Sequence, residues 1–331
     1  MPAGEKFACP ACYLSAPHRF FRGDTLRKWP FLLSCLLAAA LLWQPQTAAK
    51  AVQDGFQICF SSLFPSLFPF LAVSGLLIRL GFADFTGHIF GRFFCPLLRL
   101  SPAGLSALLL GLTGGYPTGA RAVLQLHEQG LCSPEECRHL LAFCNNAGPA
   151  FLLSVAGLGI FGSLRVGAIL YMIHVLSALL TALIFRPRHP FLQKHSPKPE
   201  IQSFPSAFTD SVLSAFSSML NICAFVLFFL VLLRLLSASG ILSLLGRIDP
   251  LLPKICTGLL ELTNGIQNLS AAPSGFILAA FFTGWGGFSV HCQTAALLQG
   301  SGLSLRRYLP GKAVQAVLSA FLAALVFPFA V

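Results

Sequence analysis

The chain has 331 residues, of which 55% are hydrophobic and only 10% charged, with a mean hydropathy of +0.76. A water-soluble protein of that length needs far more polar surface, so the numbers exclude a soluble globule and indicate a polytopic membrane protein. The net charge of +11 does not indicate nucleic acid, because the basic residues occupy short connections between apolar stretches rather than a stripe interleaved with aromatics.

In chain order, residues 1–30 form a basic cytoplasmic tail. Its CxxC, Cys9 and Cys12, lacks the second pair that a zinc site needs, so no metal and no other cofactor is expected. Residues 18–47 have the layout of a signal peptide; an uncleaved first span over 31–50 is preferred, since the rest of the chain is integral to the membrane. A spanning helix needs about 20 mostly apolar residues. The windows 52–80, 136–158, 163–185, 208–236, 276–299 and 309–331 meet that need, and 31–45 is marginal.

Three pairs of stretches recur in the same order. Asp54–Ser62 (DGFQICFSS) matches Asp210–Ser218 (DSVLSAFSS), 156 residues later. Gly111–Ala120 (GLTGGYPTGA) is answered by Glu261–Ser270 (ELTNGIQNLS), and Leu176–Phe185 by Leu318–Phe327. Three matches in register indicate a duplication, with repeat 1 over 51–185, a basic linker over 186–207 and repeat 2 over 208–331. The segments near 103–130 and 254–275 are too broken to cross the bilayer and are read as re-entrant hairpins. Three crossings per half remain, and an odd number inverts the second half relative to the first. The fold expected is therefore all-α, an inverted repeat with re-entrant hairpins and broken helices. With the N-terminus inside, the linker and Arg79, Arg92, Arg99, Arg121, Arg138, Arg306 and Arg307 fall on the cytoplasmic side, as the positive-inside bias requires.

Backbone groups cannot stay unsatisfied in lipid, so the polar breaks must pack together or face water. Four stand out, two per half: 114–120, 143–149, 261–268 and 283–289. They supply the candidate solute-binding residues Gly115, Tyr116, Thr118, Asn145, Asn146, Glu261, Thr263, Asn264, Gln267 and Trp285. The hairpin glycines serve either tight turns and close packing or ligand contact. Asn145 and Asn146 face different sides of a regular helix, so one packs while the other reaches the site. Thr263, Asn264, Gln267 and Asn268 are costly in lipid unless they face a cavity; the other reading is a hydrophilic outside loop. Glu261 is a proton carrier, cation ligand or gate, or else an interfacial charge. Asp54 and Asp210 complement helix dipoles, and the Ser61–Ser62 and Ser217–Ser218 pairs mediate packing. Of the two apolar-segment histidines, His291 is the better functional candidate and His174 the packed one. No GxSxG, HExxH or clustered His/Cys ligand set occurs, so no enzyme is expected.

The stretches SSLFPSLFPFLAVSGLL, GLTGGYPTGARAV and LLAFCNNAGPAFLLSVAG, in that order, resemble the sporulation integral membrane protein YlbJ family, also called stage V sporulation protein V. The resemblance covers roughly residues 50–331. It implies nucleoside-recognition gate domains similar to those of concentrative nucleoside transporters. It also implies passage of dipicolinic acid across the outer forespore membrane of a spore-forming bacterium. Hairpin amides with Asn and Thr side chains would then take the carboxylates, and Tyr116 or Trp285 would stack on the ring. The other readings are a nucleoside or nucleobase carrier, and a non-transporting scaffold for spore-envelope assembly. A homo-oligomer is compatible with the carrier readings; the coupling ion stays open.

Overall fold

In a computed structural model the described residues are 28–191 and 203–330, all helices and connections with no strand among them. Cys9, Cys12 and half of the linker, 192–202, lie outside the described residues. The chain divides into two units, 1–45 and 46–331. The first contributes α1 (Lys28–Trp43), which is apolar and has no buried residue. At about 1.5 Å per residue it is about 24 Å long, somewhat short of a hydrocarbon layer of about 30 Å.

The second unit opens with α2 (Pro45–Ile58), which runs through a π-helical turn (Cys59–Leu63) into α3 (Phe64–Arg79). Left-handed Gly81 (φ 90°) then starts α4 (Phe82–Leu98), and Leu67–Arg79 and Asp84–Leu98 meet at 88°. Next come α5 (Pro102–Gly114) and α6 (Thr118–Glu128), joined by a tight turn. Ser101 caps α5 by accepting from the Gly104 amide at 3.0 Å, and the buried Glu136 carboxylate accepts from the Ser101 amide at 2.8 Å. α5 has 13 residues, too few to cross, and α6 turns back along it: this is the first re-entrant hairpin.

Helix α7 (Pro134–Leu140) stops well short of the end of the 136–158 window. The chain loses regular helix at 141–148 and resumes as a π-helix (Phe151–Leu158), a single turn α8 (Gly159–Phe161) and the span α9 (Leu164–Ile184). Repeat 2 starts with α10 (Phe204–Ala238), 35 residues long, followed by α11 (Ile241–Ile248). The second hairpin is α12 (Leu252–Leu260) and α13 (Leu262–Gln267), whose helices touch where a Cβ on Gly265 would collide with the Gly258 Cα. A broken span follows, α14 (Pro273–Trp285) and α15 (Gly287–Leu297), interrupted at left-handed Gly286, and α16 (Tyr308–Ala330) closes the chain.

Among the described residues four helical stretches are long and apolar enough to cross a membrane, 164–184, 204–238, 273–297 and 308–328, or up to six if the bent pairs 28–61 and 67–98 each count as one span. Large apolar side chains such as Phe85, Phe93, Met172, Phe216 and Phe321 stand exposed around the second unit. In water such a belt would drive aggregation; in lipid it costs nothing. The protein is a multi-pass integral membrane protein.

The duplication holds at the level of elements. Hairpin, broken segment and final span recur as α5–α6, 141–158 and α9, then as α12–α13, α14–α15 and α16. One register needs correction. The Gly111-to-Glu261 match of the sequences places the hairpin tips four residues out of step, because the first hairpin turns at 115–117 and the second at Glu261 itself. Each tip approaches the break of its own repeat: Gly115 lies against Gly148, and the backbone at Glu261 and Leu262 lies against Gly287.

Candidate functional site

The two hairpin tips and the start of the π-helix wall a cavity of about 530 Å³ in the second unit. Gly115, Tyr116, Glu261, Thr263 and Gln267 of the expected site line it. Ala147 and Gly148 of the unwound segment, Gln293 of α15 and residues of α2, α3 and α10 complete the wall. At one end Asp54 pairs with Lys50 at 3.1 Å and with Arg234 at 3.6 Å. This ties the start of repeat 1 to α10 and corrects the helix-dipole reading: Asp54 stands late in α2 and Asp210 beyond the first turn of α10, so neither carboxylate sits at a helix start.

Tyr116 joins the repeats. Its hydroxyl donates to the Thr283 carbonyl of α14 at 2.8 Å, and its ring lies over Gly286, where a Cβ would come within 3.2 Å of it. Left-handed Gly286 (φ 91°) is needed for both the break and that close approach.

Glu261 serves chiefly as the N-cap of α13. Its carboxylate accepts from the amides of Thr263 at 3.0 Å and Asn264 at 2.7 Å, and from the Asn264 side chain at 2.7 Å. A carboxylate there satisfies orphan amides and opposes the helix dipole. The expectation that this tip presents free amides to a solute is thereby corrected: the protein's own carboxylate occupies them.

Five of the expected residues lie off the cavity wall. Thr118 is 1% exposed, tucked against Gly114 behind the first tip. Asn264 is spent on Glu261, and Trp285 donates to the Leu259 carbonyl at 3.2 Å while packing edge-on against His291. Asn145 and Asn146 are fully buried behind the wall.

The two asparagines lead to what the sequence reading missed. Lys312, in the first turns of α16, is fully buried. Its Nζ donates to the Asn145 carbonyl and to Gln315 Oε1, both at 2.7 Å, and sits 5.1 Å from the centre of the Tyr116 ring. Gln315 in turn donates to Asn146 Oδ1 at 2.8 Å, and Asn146 donates to the Phe143 carbonyl at 2.8 Å. Asn145 Nδ2 donates to Thr294 Oγ1 at 3.0 Å and, more weakly, to the Tyr308 hydroxyl at 3.5 Å. The Tyr308 hydroxyl also meets His291 Nδ1 at 3.0 Å. His174 Nε2 accepts from the Ala147 amide at 3.0 Å. Both histidines therefore belong to this network, which satisfies the unwound backbone of repeat 1 with side chains of α9, α15 and α16. The arrangement meets the demand that irregular backbone at membrane depth be buried in protein.

Small residues make this closeness possible. The Cys144 carbonyl lies where a Cβ on either Gly111 or Gly119 would stand, and the Ala142 carbonyl lies where one on Gly311 would stand. Arg121, expected among the cytoplasmic charges, is instead buried: it donates to the Ser214 carbonyl at 2.8 Å and to the Ser218 and Ser214 hydroxyls, linking α6 to α10.

Residues 60–164 match the family described as Gate: Nucleoside recognition. Over 320 residues the chain is 26% identical to "Sporulation integral membrane protein YlbJ" of Bacillus subtilis (strain 168), an alignment that covers 86% of this chain and 78% of that protein. No solved structure matches. The matched gate segment holds the first hairpin and the unwound segment that Lys312 braces, so the GYPTGA and CNNAGP motifs fall at the structural centre of the similarity. The chain is a multi-pass membrane protein similar along most of its length to a YlbJ sporulation membrane protein, with a segment in its first repeat that matches the nucleoside-recognition gate family.

Proposed function

We propose that the protein is a carrier, not an enzyme, and moves a small anionic solute across the membrane through the cavity between its hairpin tips. The observation that carries this reading is Lys312: a buried lysine that no carboxylate pairs among the described residues, its Nζ set behind the Tyr116 ring that lines a cavity of about 530 Å³. Its positive field is weakly screened in a low-dielectric interior and favours an anion on the cavity side. The volume is within the usual range of small-molecule sites.

Dipicolinic acid, crossing the outer forespore membrane during sporulation, is the first substrate to test, because the similarity to a sporulation membrane protein supports that setting. Tyr116 is the ring positioned to stack on it; Trp285, held off the wall, is not. The gate family's description favours a second reading, a nucleoside carrier. Uptake of labelled dipicolinate into proteoliposomes, with labelled uridine in parallel, separates the two. Saturable dipicolinate uptake supports the first reading and uridine uptake alone the second. No uptake of either by folded protein, alone or as an oligomer, sinks the carrier reading in favour of a scaffold.

A further inference from the structure

Every group that holds the Lys312 ammonium is neutral. The Asn145 carbonyl and Gln315 Oε1 accept from it at 2.7 Å, and the Tyr116 ring lies 5.1 Å away. Among the described residues the ion pairs are those of Asp54, and the Glu261 carboxylate is committed to capping α13. Titratable groups on the surrounding elements include His174 and Tyr171 on α9, His291 and Cys292 on α15, Tyr308 at the start of α16, and Cys144 and Tyr116 from repeat 1, none of them a carboxylate. His174 and His291 each use one ring nitrogen in the network and bury the other without a partner. Asn145 Oδ1, on the same residue whose carbonyl grips the ammonium, is also buried without a partner.

A lysine kept for a structural ion pair has a carboxylate opposite it, because an unpaired buried charge is costly. A cation gripped only by neutral oxygens, at the unwound part of a broken helix, is held in the way that carriers hold a dissociable inorganic ion. Here the cation is covalently attached. We propose that this is a monovalent-cation seat filled permanently by the protein's own Lys312 ammonium, so that the protein takes up no diffusible alkali cation there. The consequence for coupling, solute movement without sodium, rests on the carrier reading; the seat itself does not.

Emptying the seat tests the proposal. Purified wild type, Lys312→Ala and Lys312→Met are heated in detergent with choline, sodium, potassium or methylammonium chloride at equal ionic strength. Lys312→Ala should lose stability in choline and regain it with methylammonium, as a saturable upward shift in Tm of about 3 °C or more. Lys312→Met, whose side chain fills the space, should lose stability without regaining it. Wild type should show no cation-specific shift. Specific stabilisation of wild type by sodium or potassium would overturn the proposal, as would equal stability of Lys312→Ala in methylammonium and choline. If Lys312→Ala fails to fold in choline, purification in methylammonium decides: monodisperse protein supports the seat, and aggregation again overturns it. Because the readout is not uptake, failure of the carrier reading leaves this result standing.

Discussion

The hydroxyl of Ser319 donates to the hydroxyl of Ser177 at 2.7 Å, and the two residues are 142 positions apart. The same offset aligns Leu318–Phe327 with Leu176–Phe185. Ser319 therefore touches its own counterpart in the other repeat. A self-equivalent contact lies on the axis that relates the halves, as in any isologous pairing. The final spans α9 and α16 cross there, and Ser177 passes the chain on by donating to the His174 carbonyl at 2.8 Å.

Both serines are fully buried at that crossing. Ser319→Ala removes one buried hydrogen bond and should cost about 1 kcal/mol. Ser319→Val adds bulk at the axis and should cost about 1–3 kcal/mol. Thermal unfolding in detergent ranks the two, and a valine variant as stable as wild type would remove the axis from this position.

Tyr116 has two separable roles. Tyr116→Phe loses the tether to Thr283, costs about 1 kcal/mol and should keep most of the uptake. Tyr116→Ala also strips the ring from Lys312 and should lower uptake at least tenfold with the protein still in the membrane. Equal uptake by the two variants would count against the ring.

Glu261 caps α13 through both carboxylate oxygens. Glu261→Gln has one acceptor oxygen where there were two, so it should cost about 1 kcal/mol and slow uptake by loosening the second tip. Uptake should keep the wild-type shape of its pH profile. A profile flattened by Glu261→Gln would restore the proton-carrier reading of this residue.

Gly119→Ala would place a methyl on the Cys144 carbonyl, backbone against backbone, and should leave little folded protein. Gly91→Ala, whose Cβ would meet only Cys95 Sγ at 3.6 Å in mid-helix, should be neutral or slightly stabilising. Yield and Tm compare them directly.

The cavity wall can be mapped with thiol reagents in a background without reactive native cysteines. Thr113→Cys and Gln267→Cys, both exposed and lining the cavity, should react, and solute should protect them. Thr118→Cys should stay silent, since its position is closed off. A reactive Thr118→Cys would mean that the first tip opens far wider than the structure describes.

The breaks were legible because lipid leaves irregular backbone so few places to go, and glycines, prolines and asparagines amid apolar runs mark those places. The direction of each side chain was not legible. Thr118, Asn145 and Asn146 sit in the right segments, but the hairpin turn and the neighbouring helices decide which way they face. Glu261 suggests a proton carrier, cation ligand or gate, or else an interfacial charge, because a cap at a hairpin break looks, along the sequence, like a charge stranded in lipid. Lys312 escapes notice because it lies near the start of the window 309–331, where a lone lysine close to the basic pair Arg306–Arg307 looks like one more charge at a span end. Its signal is the spacing of Lys312, Gln315 and Ser319, three polar residues on one face of an otherwise apolar span.

The carbonyl of Cys144, cradled by Gly111 and Gly119, also says where the molecule is able to part. Backbone meshed with backbone does not slide, so in any movement the proposed carrier makes, the first hairpin and the unwound segment would travel together as one piece. The Tyr116 ring against Gly286 is a different kind of joint, a flat face held by one hydrogen bond. A gate hung on these two contacts has its hinge chosen in advance: the glycine cradle is the leaf, and the tyrosine is the latch.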